Sequence, residues 1–262
     1  MFVKITKNAI KSLIVAASVL SVAQAHGPTA IDWDYSAKLG PGEWSALAPE
    51  YRLCASGKSQ SPINISQHAV ATTEKDIEFH YSTGIFGRVL DKHDFSVEVI
   101  PGGNEYITLD GERYDLQGLH FHAPAEHQIA RITYPLEVHF IHKNSQGKLL
   151  VVGVFFQEGK VNKNLQKLFA VPLPKPENNA VTSQNRVVFD PTQLIPKHSG
   201  YFVYSGSLTT PPCTEGVTWL LMKKILNASS EQLEFFRSNM IHGNARPIQP
   251  LNQRVIYEHS ED

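Results

Sequence analysis

Leu116-Gln117-Gly118-Leu119-His120-Phe121-His122, followed by Leu136-Glu137-Val138-His139-Phe140-Ile141-His142, is the stretch on which the fold and chemistry of this chain turn. Both segments read as strands, because β-branched, aromatic and apolar residues run through them between turn signals. Successive strand side chains point to opposite faces, so His120 and His122 share one face and Phe121 takes the other. If the two strands pair antiparallel, His139 faces the same cavity from next door. His142, three positions on, points away. Three neutral imidazoles leave one tetrahedral position for water, the arrangement of a catalytic zinc site. A His-x-His pair on a strand is more often structural or exposed, so the neighbouring residues must decide.

Working outward, the chain reads as short strands and turns. Phe95–Ile100 alternates before the turn Pro101-Gly102-Gly103-Asn104, and Tyr106–Leu109 precedes the hairpin signal Asp110-Gly111. Leu149–Phe156 is a further strand. Helical patterns cover Asn162–Phe169 and Ser230–Met240, with Ser230 as the expected N-cap of the second. With no repeat and no low-complexity tract, one β-rich domain with short helices is expected.

The first 25 residues read as a signal peptide. Lys4, Lys7 and Lys11 precede a short apolar run, Ser12–Val22, and Ala23-Gln24-Ala25 offers a small-x-small cleavage site. The run is shorter than the roughly 20 residues a membrane span needs, and no later segment suffices. Removing the leader takes three of 24 Lys and Arg and none of 25 Asp and Glu, leaving a formal charge of about −4 over residues 26–262. Both signs are interspersed, which argues against nucleic-acid binding. Cys54 and Cys213 follow an export signal, so a disulfide is the default and two buried thiols the alternative.

The wider sequence resembles the α-class carbonic anhydrases, in their exported bacterial form. The matching segments are Gln60-Ser61-Pro62-Ile63-Asn64-Ile65, His120-Phe121-His122, Glu126-His127, Glu137-Val138-His139, Ser207-Leu208-Thr209-Thr210-Pro211-Pro212 and Asn244-Ala245-Arg246-Pro247. Trp33, Tyr35 and Trp44 match the family's aromatic N-terminal segment. The resemblance implies an α+β fold around a large, mostly antiparallel twisted sheet with a conical zinc cavity. It implies Zn2+ as cofactor, held by His120, His122 and His139, and reversible hydration of carbon dioxide to bicarbonate.

Residue by residue, Thr209 is expected to orient the nucleophile and Glu126 to accept the threonine proton. Glu137 and the Asn244 carbonyl are expected to hold ligand histidines, and His93 to shuttle protons at the cavity rim. Tyr35, Asp91 and Ser96 stand where the family orders water. Ile141, Val151, Leu208, Thr210 and Trp219 match the substrate pocket. The Cys54–Cys213 pair implies a periplasmic home, with secretion the second choice, and a homodimer is left open. One departure stands out: the family has Gln two residues before the first ligand, where this chain has Gly118. In a regular strand, adjacent Gln117 turns to the opposite face. The competing functions are a non-enzymatic relative, another zinc hydrolase and a zinc-buffering protein. No His-Glu-x-x-His motif supports a metalloprotease.

Overall fold

Glu112–His122 is the strand around which the sheet is built. It pairs antiparallel with Leu136–Lys143, His120 opposite His139, and with Phe95–Val99, Ser96 opposite His120. The computed structural model describes residues 32–65, 69–71, 77–90, 95–99, 104–169, 186–240 and 243–260. The expected signal peptide, Asp91 and His93 lie outside these residues.

From Leu136–Lys143 the sheet continues to Leu149–Glu158, antiparallel with Ile141 opposite Val151. Glu215–Met222 follows in parallel, Val151 opposite Trp219, and then Tyr201–Ser207 antiparallel, Trp219 opposite Tyr204. Among the described residues it is a 13-stranded sheet, and further parallel pairs join Leu149–Glu158 to Leu226–Ala228 and Tyr257–His259 to Val70–Ala71. The sheet is thus mostly antiparallel with parallel insertions. No helix among the described residues is long and apolar enough to cross a membrane.

Opposite partners share a face, so Ile141, Val151, Trp219 and Tyr204 line up with the histidines on one side. The other side packs Phe121, Phe140, Val152, Phe156 and Leu220 into the larger core. Both faces are covered, which explains why Leu149–Phe156 is apolar throughout rather than alternating. Phe121, Phe140 and Phe156 are fully buried, each contributing roughly 1.5–3 kcal/mol over an exposed side chain.

Two helices close the back of that core. Ser230–Asn239 is capped one residue earlier than expected: the Ser229 hydroxyl accepts from Gln232 N and Gln232 Oε1 accepts from Ser229 N. The glutamine three positions after Ser229 selects it over Ser230 by completing a capping box. Phe236 of this helix stacks on Phe121, the residue between two of the histidines, at 4.6 Å. Lys163–Phe169 starts under Asn162, whose Oδ1 accepts from Asn164 N and Leu165 N.

His142 faces the back core. It donates from Nδ1 to Leu150 O at 3.3 Å and accepts at Nε2 from the Tyr81 hydroxyl at 2.5 Å. Burial pushes its pKa down from 6.5 to about 3. The unfolded chain therefore takes up a proton that the folded chain refuses. The resulting stabilisation is whole above pH 6.5 and lost as the pH falls toward 3, at about 1.4 kcal/mol per pH unit. His142→Gln keeps a donor and an acceptor but cannot titrate, so its melting temperature should fall less steeply between pH 6 and 4 than that of wild type. Equal slopes in calorimetry would remove His142 as the source.

Candidate metal centre and active site

His120, His122 and His139 converge. Their candidate ligand nitrogens lie within 4.8 Å of one another, with His120 Nε2 3.3 Å from His139 Nδ1. The far nitrogens of two rings are fixed. His122 donates from Nδ1 to Asn244 O at 2.6 Å, and His139 donates from Nε2 to Glu137 Oε1 at 2.7 Å. These bonds leave lone pairs on His122 Nε2 and His139 Nδ1, both turned inward. Burial holds the His120 pKa well below 6.5 and lowers that of His139, favouring the neutral, ligating forms.

Asn244 is itself clamped to the strand end. Its Oδ1 accepts from Ala123 N and its Nδ2 donates to Phe121 O. Glu137 is fully buried and receives four hydrogen bonds, from His139 Nε2, His127 Nδ1, and the backbone N–H groups of Glu126 and His127. Burial alone would raise its pKa; His127 and His139 beside it hold it well below the usual carboxyl range. Room for this carboxylate comes from Gly153, opposite His139, where a Cβ would stand 3.1 Å from Glu137 Oε1 and 2.6 Å from Leu221 Cδ2.

The network runs on through His127, which the resemblance implied to be a buried structural histidine, and through residues given no role in the sequence. His127 Nε2 accepts from the Tyr204 hydroxyl at 2.6 Å, Tyr204 bonds Ser61 Oγ at 2.7 Å, and Ser61 Oγ accepts from Ser207 N. Arg246 is buried too. Its Nη1 donates to Ser61 O and its Nη2 to Cys54 O, while its backbone N donates to Glu126 Oε1. Ser61 and Arg246 lie in the quoted motifs, but nothing local to Tyr204 marks it.

Among the described residues Glu126 Oε2 is buried without a hydrogen-bond partner, 3.5 Å from His122 Nε2 and 3.9 Å from His139 Nδ1. His122 Nε2 is likewise buried and unpartnered among them. Two orphaned acceptors and further imidazole lone pairs therefore face one point, an arrangement costly to bury unless a cation or donor completes it. The donor set, all imidazole nitrogen, suits zinc.

Thr209 is buried on the loop after Tyr201–Ser207. The loop is closed by Leu208 N to Thr214 O and Cys213 N to Thr210 O, and by the disulfide Cys54–Cys213, Cα–Cα 5.1 Å. The hydrogen bond expected from Thr209 is not made to Glu126 Oε2 in this structure, where that oxygen has no partner among the described residues.

Val151 and Trp219 are buried in the cavity-side apolar cluster, with Ile141 and Leu208 half-buried against it. Trp219 also packs edge-on against the His139 ring at 4.8 Å. Thr210 is half-buried beside Thr209. Tyr35 packs edge-on against both Trp33 and Trp44. Ser96 stands opposite His120 on the neighbouring strand. Gln117 does not occupy the regular place expected for it. It is the extra residue of a β-bulge, half-buried, and donates to Asp115 O.

Known proteins resemble this chain in sequence and fold. Residues 39–260 match the family model of eukaryotic-type carbonic anhydrase. A carbonic anhydrase of Pectobacterium carotovorum is 38% identical over 94% of this chain and 99% of its own length. One of Neisseria gonorrhoeae is 37% identical over 94% of each. The solved α-carbonic anhydrase of Thermovibrio ammonificans, in complex with the inhibitor sulfanilamide, superposes with a TM-score of 0.80. It is 41% identical and covers 87% of this chain and 99% of that one. The chain belongs to the eukaryotic-type, or alpha, carbonic anhydrases, enzymes that hydrate carbon dioxide.

Proposed function

We propose that His120, His122 and His139 hold a catalytic zinc ion and that the chain uses it for reversible hydration of carbon dioxide. The supporting observation is the convergence of three imidazoles, two of them locked by Asn244 O and Glu137 Oε1 in the tautomer that aims a lone pair inward. Zinc held by three neutral imidazoles with one open position lowers the pKa of bound water to about 7, and so supplies a nucleophile at neutral pH.

The remaining work falls to the chain's own groups. Thr209, next to Glu126 in the family pattern, would orient the nucleophile by accepting a hydrogen bond from it while donating its own hydroxyl hydrogen bond to Glu126 Oε2. Ile141, Val151 and Leu208 give an apolar substrate a dry wall. Stopped-flow carbon dioxide hydration, with zinc stoichiometry measured on the same sample, tests the reading. A chelator should abolish the rate and added zinc restore it; a rate at buffer level with zinc bound would end the proposal and favour zinc buffering.

His93 is proposed as the proton shuttle, since an unperturbed imidazole titrates near pH 6.5. His93→Ala should lose rate in dilute buffer and regain it with added imidazole. Equal rates in both buffers would remove His93 from the mechanism. Residues 1–25 are proposed as a signal peptide and 26–262 as one catalytic domain that works in the periplasm. The disulfide fits an oxidising compartment. N-terminal sequencing of periplasmic protein should begin at His26.

A further inference from the structure

On the sheet face turned away from the metal histidines, Tyr201 stands opposite Met222 on one neighbouring strand and opposite His259 on the other, so the three side chains share a face. Tyr201 and Met222 belong to the larger core, on the side of Phe121. The row floors a cavity of about 340 Å³, within the size range of small-molecule sites. The Tyr201 and His259 rings stack at 4.8 Å, 20° from parallel. Phe79 and Ile195, packed on the same core, supply apolar walls. None of the residues assigned to the metal centre lines this cavity.

Its charged and titratable groups are all basic. Lys197, His198 and His259 line it, and among the described residues no carboxylate does. The acids nearest in sequence are engaged elsewhere: Asp190 accepts from Thr192 N and Gln193 Nε2, Glu78 bonds His80, and Glu258 pairs with Lys223. His259 Nδ1 is buried without a hydrogen-bond partner among the described residues, a costly state unless a ligand completes it. The rim is also built. Lys224 Nζ donates to Lys197 O and Lys224 N to Ser199 Oγ, both at 3.1 Å. Between these anchors His198 is kept at φ 51°, in the left-handed region that residues other than glycine occupy at a cost.

We propose that this cavity binds a small carboxylate with an aromatic body, its ring against Phe79, Ile195 and Met222 and its charge on Lys197 and His259. The apolar floor and the stacked Tyr201–His259 pair offer faces and edges to a ring. A carboxylate accepts from both an ammonium and an imidazole N–H, and so completes the orphaned nitrogen. An inorganic anion would leave the floor unmatched, and an amine would meet a lysine with no carboxylate beside it. The site is independent of the zinc reading, because it lies on the other face of the sheet.

The chain's three methionines are Met1, Met222 and Met240. Met1 lies in the proposed leader, so methyl-13C methionine labelling leaves two reporters in NMR: Met222 on the cavity floor, and Met240, buried but not lining it. Met222→Leu assigns the two signals. Titration with 3-phenylpropionate should shift the Met222 methyl saturably and leave Met240 in place. The neutral 3-phenylpropanamide should bind about tenfold more weakly, and acetate should leave Met222 unmoved. Lys197→Gln, at an exposed position, and His259→Phe, which keeps a ring against Tyr201, should each weaken 3-phenylpropionate about tenfold. A Met222 signal that stays still at the solubility limit would overturn the site. Equal affinity for the acid and the amide, or for acetate, would overturn the assigned ligand class. Wild-type affinity in both variants would overturn the site as well, since the shift would then arise from binding elsewhere.

Discussion

Glu137→Gln is expected to weaken zinc binding by about 10–100-fold and to destabilise the metal-free fold by about 2–4 kcal/mol. All four groups around this carboxylate are donors. His139 Nε2 and His127 Nδ1 give to Oε1, and the backbone N–H groups of Glu126 and His127 give to Oε2. Glutamine offers one carbonyl oxygen, so its amide NH2 must confront one pair of donors.

If the NH2 faces the imidazoles, His139 can accept it only by moving its proton to Nδ1, the atom that points at His120. The inward lone pair is then lost. If it faces the backbone, two buried N–H groups are orphaned at the entry to Glu126. Either choice harms the site, and neither changes side-chain volume. Metal competition titration and urea denaturation of chelator-treated protein measure the two effects separately. Wild-type values in both would show that Glu137 neither sets the tautomer nor holds the fold.

The central strands were legible because their chemistry has period two. His120 and His122 flank an apolar Phe121, and that alternation alone placed both imidazoles on one face. The pairing of His139 with His120 followed from two neighbouring strands and a connection short enough to bring them together. The bulge was not legible. Gln117-Gly118 fits a regular strand equally well, and only the parity of the core residues on either side reveals the insertion. Read back, that parity is a sequence signal: Tyr114 and Leu116 cannot share a face with Leu119 and Phe121 in an unbroken strand.

The helix N-cap at Ser229 was recoverable by local rule. Ser229 has Gln232 three residues on, the capping-box spacing, whereas Ser230 has Leu233 there. The line from Ser61 through Tyr204 to His127 and Glu137 was not recoverable, because Ser61, the His127–Glu137 stretch and Tyr204 lie far apart in sequence and are joined by the fold. Arg246 belongs to the same class. A buried guanidinium must find acceptors, and its partners, Ser61 O and Cys54 O, lie more than a hundred residues upstream. Its pKa is pushed down by burial to about 10, still well above neutrality, so the charge persists and both carbonyls are needed.

Thr209→Ala is expected to lower kcat/KM for carbon dioxide hydration by about 10²-fold while zinc stays bound, the scale on which a single preoriented transition-state hydrogen bond acts. Glu126→Gln should match it, and the structure says why. Arg246 N donates to Glu126 Oε1, so a glutamine at this position keeps its carbonyl oxygen there. Its NH2 then takes the place of Oε2, which faces His122 Nε2 and His139 Nδ1. A donor now stands where Thr209 needs an acceptor. The threonine must turn its proton elsewhere, and its lone pair is no longer reserved for the nucleophile.

The double variant separates this account from two independent losses. If Thr209 and Glu126 act as one unit, Thr209→Ala with Glu126→Gln should lose no more than the worse single variant. Multiplicative losses would mean that Glu126 works on the histidines directly, at its 3.5 Å approach to His122, and not through Thr209. Full activity in Thr209→Ala would remove the threonine from the mechanism altogether.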